Sequence, residues 1–368
     1  MRFVSSLDRI VPYEPGAPIE SVMRRFGLDT VVKLASNESP LPPFQAVKRA
    51  VTEALADLNR YPDGSCVDLR AALAEHYDRD PGGVAVGNGS CELLLLLADV
   101  MLEPDDEVVI ADPSFLVYAD TCATHAARAV RVPLRDLTHD LDAMACAVGP
   151  QTRMLIVCNP NNPTGTYVPA DAIAHLVERV PDDVLVVLDE AYNEFVTAPD
   201  SQDTLAIERE HDNVCILRTF SKIYGLCGLR VGYGLCSPEV KTALDKVRQP
   251  FNVNHLAQVA AMEALKHQDE VAERQRFNAE ARAYLAGRLQ DMGRAVALSE
   301  ANFMLVDMRD LCPPDVAVCR RLLELGAIVR DGNQLGCPGW ARVSVGTRDE
   351  IDFFLEKLSV VAGAEGGR

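Results

Sequence analysis

Lys222 lies in Arg218-Thr-Phe-Ser-Lys-Ile-Tyr-Gly-Leu-Cys-Gly-Leu-Arg-Val-Gly232, with Thr219 and Ser221 just before it and Arg230 just after. A lysine amine attacks an aldehyde only when unprotonated. Its reference pKa is about 10.4, so a working site must lower it by desolvation or a neighbouring cation. Hydroxyls beside an arginine are the groups that hold a phosphate. An aldehyde and a phosphate together describe pyridoxal 5′-phosphate. A solvated loop with an ordinary surface lysine has the same composition, so the stretch alone does not decide.

Other stretches offer the partners such a cofactor needs. Val84-Ala-Val-Gly-Asn-Gly-Ser-Cys-Glu92 runs from a strand through a glycine turn into a helix. We expect Ser90 to cap that helix, and the free N–H groups at its start to seat an anion. It is no dinucleotide fingerprint, because the third glycine is missing. A plain helix start is the alternative. Asp189 ends the apolar run Val184-Leu-Val-Val-Leu, and Tyr192 follows. A carboxylate at a buried strand end needs a partner, such as a pyridinium N–H. Asn159-Pro-Asn-Asn-Pro-Thr-Gly165 forces a rigid non-helical loop that places Asn162. Glu107-Val-Val-Ile-Ala-Asp-Pro-Ser-Phe115 reads as a strand ending in a turn that delivers Phe115 and then Tyr118, where an aromatic can stack on a planar ligand or simply join the core. Asn37 ends another short strand, where it could meet a ligand or only shape a turn.

Strands alternating with helices from about 84 to 236 imply an α/β fold with a parallel, right-handed βαβ sheet. We divide the chain into an arm (1–30), a large domain (31–250) and a smaller α/β domain (251–368). Helices are expected over 44–58, 67–77, 169–180, 238–248, 255–293 and 349–362.

The 368 residues, 48% hydrophobic and 24% charged, suit a soluble protein with more than one core. The net charge of −18 argues against nucleic acid. No signal peptide or membrane-spanning run is expected, and the cytoplasm is the default location. The eleven cysteines and seven histidines lack metal-ligand spacing, so reduced thiols and no metal are expected.

Taken together the motifs resemble fold type I pyridoxal-phosphate enzymes, and within them the histidinol-phosphate aminotransferase family. The resemblance spans nearly the whole chain. It rests on Pro12-Tyr-x-Pro-Gly16, Asn37-Glu-x-Pro40, Tyr61-Pro-Asp63, Gly87-Asn-Gly-Ser90, the 159–165 loop, Asp189-Glu-Ala-Tyr192, Ser221-Lys222 with Arg230, and Arg330 with Arg342-Val-Ser-Val-Gly346. It implies a mostly parallel sheet and covalent attachment of the cofactor to Lys222. Asp189 would pair with its ring nitrogen, and Asn162 and Tyr192 with its phenolic oxygen. Phe115 would lie on its ring. Ser90, Cys91, Thr219, Ser221 and Arg230 would hold its phosphate. It further implies a homodimer in which Tyr61 reaches the neighbouring subunit's cofactor. Tyr13, Asn37, Arg330 and Arg342 would bind substrate. The implied reaction is transamination between histidinol phosphate and 2-oxoglutarate in histidine biosynthesis, with aromatic amino-acid transamination as the rival. Three positions depart from the family pattern. Phe115 stands where tyrosine is commoner, Cys91 replaces an acidic residue, and Ser39-Pro-Leu-Pro-Pro43 lacks a glycine.

Overall fold

The computed structural model describes residues 1, 3–12, 16–199, 204–309, 311 and 317–363. Its strands are β1 (Val32–Leu34), β2 (Val84–Gly87), β3 (Glu107–Asp112), β4 (Arg128–Pro133), β5 (Thr152–Cys158), β6 (Leu185–Asp189), β7 (Val214–Thr219), β8 (Gly232–Leu235), β9 (Phe303–Asp307), β10 (Ala327–Asp331) and β11 (Trp340–Ser344). The helices are α1 (Ile19–Phe26), α2 (Gln45–Ala54), α3 (Val67–His76), α4 (Ser90–Met101), α5 (Val117–Thr124), α6 (Leu141–Cys146), α7 (Ala170–Val177), α8 (Leu205–Glu210), α9 (Pro238–Val247), α10 (His255–Leu265), α11 (Gln268–Asp291), α12 (Val318–Glu324) and α13 (Arg348–Gly363).

Seven strands form one sheet in the order β2-β8-β7-β6-β5-β3-β4. Its central strands are apolar throughout because both faces are covered. Successive residues serve opposite faces. Val186 and Leu188 of β6 join the core shared with α3, α7 and α10, while Leu185 and Val187 join the core shared with α4 and α5. The strands from β3 to β7 pair in parallel, but β8 runs antiparallel to both its neighbours. The sheet is thus mostly parallel, as expected, with β8 as its antiparallel member. The link 220–231 contains no helix to carry the chain across the sheet, so β8 folds straight back on β7.

The second sheet has the order β1-β10-β11-β9 and is packed by α11, α12 and α13. β1 pairs in parallel with β10, so residues 32–34 lie with this sheet, across the boundary expected at residue 31. The helix expected over 255–293 is two helices, broken at Lys266 and His267. That over 44–58 stops at Ala54 and ends in a 3-10 turn. Among the described residues no helix is long and apolar enough to cross a membrane.

Candidate active site

The parallel strands β5, β6 and β7 end side by side, with Cys158, Asp189 and Leu217 in register. Their carboxyl ends open into a cleft of about 510 Å³, the size of a small-molecule site. This is where open α/β sheets bind ligands, because loops and helix N-termini converge there.

At the floor lies Asp189, only 3% exposed. The Tyr118 hydroxyl donates to its Oδ2 at 2.6 Å, and the Ala191 N–H reaches Oδ1 at 3.3 Å. Burial raises its pKa, while the Tyr118 bond pulls the other way. Tyr118 is fully buried on α5 and meets Phe115 edge to face at 5.6 Å. Sequence reasoning noted Tyr118 only as an aromatic after a strand. Its place one helical turn beyond Phe115 was the available signal, since that spacing puts both on one face.

Lys222 projects from the loop after β7. Its Nζ donates to the Asn37 carbonyl at 3.3 Å and sits 5.5 Å from the Tyr192 ring centre. Burial, then the charge of Arg342, lowers its pKa to about 8. A larger share of the amine is therefore free near neutral pH than in an exposed lysine, as carbonyl chemistry demands. Asn37, in a left-handed conformation at φ 54°, donates from Nδ2 to the Tyr192 hydroxyl at 3.1 Å. Asn162 lies on the other side, 3.4 Å from the same hydroxyl. Its amide oxygen accepts from Arg342 at 2.6 Å. Arg342 also donates to the Ala35 carbonyl. Arg330 is its cross-strand neighbour, and both guanidinium groups line the cleft.

The opposite end is an anion seat. Arg230 donates to Ser221 Oγ at 3.2 Å, and Thr219 Oγ1 lies 3.0 Å from the same oxygen. Ser90 and Cys91 open α4 beside them, so its first N–H groups face the cleft. Ser90 is not the helix cap. Gly89 occupies that position at φ 83°, and no side chain caps the helix, which corrects the expectation. A side chain at Gly89 would strike the Arg230 guanidinium, and one at Gly232 would strike the Ser90 amide. The two glycines thus let β8, Arg230 and the start of α4 close on one small volume.

The donor set fits pyridoxal 5′-phosphate. The arginine, two hydroxyls and helix start match a phosphate, the buried Asp189 carboxylate matches a pyridinium N–H, and the Lys222 amine matches an aldehyde. Among the described residues, no group of three metal-ligating side chains is present. Tyr61 lies outside this cleft, 82% exposed and stacked on Phe251 at 4.6 Å. Tyr13 lies outside the described residues. Asp120, Leu335 and Cys227 line the cleft and were not anticipated, because no motif marks them.

Comparison with known proteins agrees with this geometry. The family model for aminotransferase class I and II matches residues 29–358. The chain is 46% identical over 351 residues to histidinol-phosphate aminotransferase of Moorella thermoacetica, covering 95% of this chain and 90% of that one. It is 44% identical to histidinol-phosphate aminotransferase 2 of Ralstonia nicotianae, covering 97% and 96%. The structure resembles histidinol-phosphate aminotransferase from Sinorhizobium meliloti in complex with pyridoxal-5′-phosphate, with a TM-score of 0.89, 30% identity, and 99% and 98% of the two chains covered. Aspartate aminotransferase from Thermus thermophilus superposes with a TM-score of 0.84 at 26% identity, over 98% and 100%. The chain belongs to the class I and II aminotransferases, which use pyridoxal 5′-phosphate, and within them to the histidinol-phosphate aminotransferase family.

Proposed function

We propose that the protein transfers the amino group of L-histidinol phosphate to 2-oxoglutarate, giving imidazole-acetol phosphate and L-glutamate, a step of histidine biosynthesis. The observation that carries this reading is the buried Arg330–Arg342 pair opening on the same cleft as Lys222. Two guanidinium groups side by side suit a phosphate monoester, which offers more acceptor oxygens than a carboxylate. Glutamate brings its α-carboxylate to Arg342 in the second half-reaction.

Bound pyridoxal 5′-phosphate supplies an electron sink for the carbon that loses its proton. Lys222 Nζ would hold the cofactor through its aldehyde and, as a free amine, would take the proton from the substrate carbon that bears the amino group. Asp189 would keep the ring nitrogen protonated. Tyr192 and Asn162 would donate to the phenolic oxygen, and Asn37 would steady Tyr192 and the substrate. Phe115 would pack on the ring. Ser90, Thr219, Ser221, Arg230 and the Cys91 N–H would hold the phosphate. Tyr13 adds a donor for the substrate phosphate.

We assign a homodimer and a cytoplasmic location. The exposed Tyr61–Phe251 stack, with Leu55, Leu58 and Val67 also exposed, supports a second copy on that face. Tyr61 then serves the neighbouring cofactor.

Single half-reactions test the substrate. Purified holoenzyme is mixed with histidinol phosphate or with phenylalanine at equal concentration, and the cofactor spectrum is followed. Faster conversion by histidinol phosphate supports the assignment. Faster conversion by phenylalanine replaces it with an aromatic amino-acid transaminase.

A further inference from the structure

Asp120 is a carboxylate in the wall of the active-site cleft that the chemistry above does not use. It lies on α5, beyond the ring-facing Phe115, and lines the cleft with Leu116, Val117 and Leu335. Its neighbours in that wall are apolar. Among the described residues its carboxylate makes no hydrogen bond and no ion pair; its backbone N–H donates to the Leu116 carbonyl at 3.3 Å, within the helix. The charge that acts on it is that of Arg131, and Arg131 is itself paired with Asp112 at 3.0 Å. Elsewhere the cleft is cationic: Lys222 and Arg230 on the side read as the cofactor's, and Arg330 and Arg342 on the side read as the substrate's anionic end.

A half-buried carboxylate without a partner loses hydration that nothing among the described residues replaces. A ligand that brings an N–H to it restores the bond, and a charge-assisted bond of that kind contributes about 1.5–3 kcal/mol. Histidinol phosphate has a polar group besides its amine and its phosphate: the imidazole ring. That ring carries an N–H whether neutral or protonated, and its flat apolar faces suit the Leu116, Val117 and Leu335 surface.

We propose that Asp120 is a specificity-determining residue that accepts a hydrogen bond from the substrate's imidazole N–H and so separates imidazole from phenyl side chains. The inference rests on the histidinol-phosphate reading and names the group that reads the far end of that substrate. Arg330 and Arg342 select the phosphate, and Asp120 selects the ring.

The test uses holoenzyme and compares histidinol phosphate with phenylalaninol phosphate, which keeps the phosphate and exchanges only the ring. Wild-type enzyme is expected to favour the imidazole compound about tenfold or more in kcat/KM, and Asp120→Leu, which has no acceptor, to lose most of that ratio through KM. The cofactor spectrum reports whether the variant still loads, separately from its activity. A second measurement needs no variant. Histidinol phosphate methylated at one or the other ring nitrogen is offered to wild-type enzyme, and at least one of the two falls towards the phenyl compound. Equal rates for the two phosphates in wild type, a ratio unchanged in Asp120→Leu, or full activity of both methylated substrates overturns the inference. Failure of the underlying reading looks different: there, phenylalanine outruns histidinol phosphate in wild-type enzyme.

Discussion

Arg330 and Arg342 stand directly opposite each other on antiparallel β10 and β11, 6% and 7% exposed. Like charges opposed across strands repel, and the repulsion grows as water is excluded. The pair is an arrangement that an anion stabilises. Replacing Arg342 with Lys keeps a charge but breaks the planar fork that spans Asn162 and Ala35. Both half-reactions are expected to slow by about 10–100-fold, given about 1.5–3 kcal/mol for hydrogen bonds to a charged group. Arg330→Gln is expected to weaken histidinol phosphate more than glutamate. Stopped-flow half-reactions read both effects.

Tyr118 stabilises the Asp189 carboxylate through the 2.6 Å bond. Tyr118→Phe removes that donor and leaves Asp189 more prone to take up a proton. A protonated Asp189 has lost the charge that holds a pyridinium N–H and keeps only a weaker, neutral acceptor. Cofactor Kd, measured by absorbance titration of the apoprotein, is expected to rise about tenfold, in line with a charge-assisted bond of about 1.5 kcal/mol.

The Lys222 amine, with its pKa lowered to about 8, is mostly protonated below that pH and mostly free above it. Only the free amine attacks an aldehyde. The rate at which apoprotein captures pyridoxal 5′-phosphate should therefore rise with pH through about 8 and level off beyond. A rise centred near 10 would mean that burial and Arg342 do not act on the amine. Lys222→Arg should show no capture at any pH.

Behind the site, the Glu194 carboxylate is buried with neither oxygen hydrogen-bonded to any described residue. Burial raises its pKa from 4.5 to about 7, against the pull of Arg218. The folded state thus favours the protonated form. This contribution to stability is full below about pH 4.5 and is lost as pH rises through 7. Its size is at most about 3 kcal/mol. Glu194→Gln, which stays neutral, is expected to raise Tm at pH 8 and change it little at pH 5.

Much of the site could be read from residue order. Lys222, Asp189, Asn162, Tyr192, Thr219 and Ser221 sit at or just beyond the end of a strand, visible as the last apolar residue of a run, and Arg230 closes the Lys222 loop just before β8. The structure brings all seven to one cleft. The alternation of strand and helix likewise announced the layered α/β architecture, because buried parallel strands must be apolar on both faces.

Only the tertiary structure decided which distant segments meet. β1 joins β10 from across the chain, which brings Asn37 over Lys222 and lets Ser344 Oγ accept from the Asn37 N–H at 2.9 Å. The Tyr118–Asp189 bond joins two elements 71 residues apart, and nothing local marks either partner for the other. Asp120 reads as an ordinary helical carboxylate until folding turns it towards the cleft. The antiparallel return of β8 and the capping of α4 by Gly89 also follow from close approach. Local sequence fixes propensity and period, which depend on neighbours along the chain. Pairings across it depend on which buried surfaces and polar groups find each other once the core has closed.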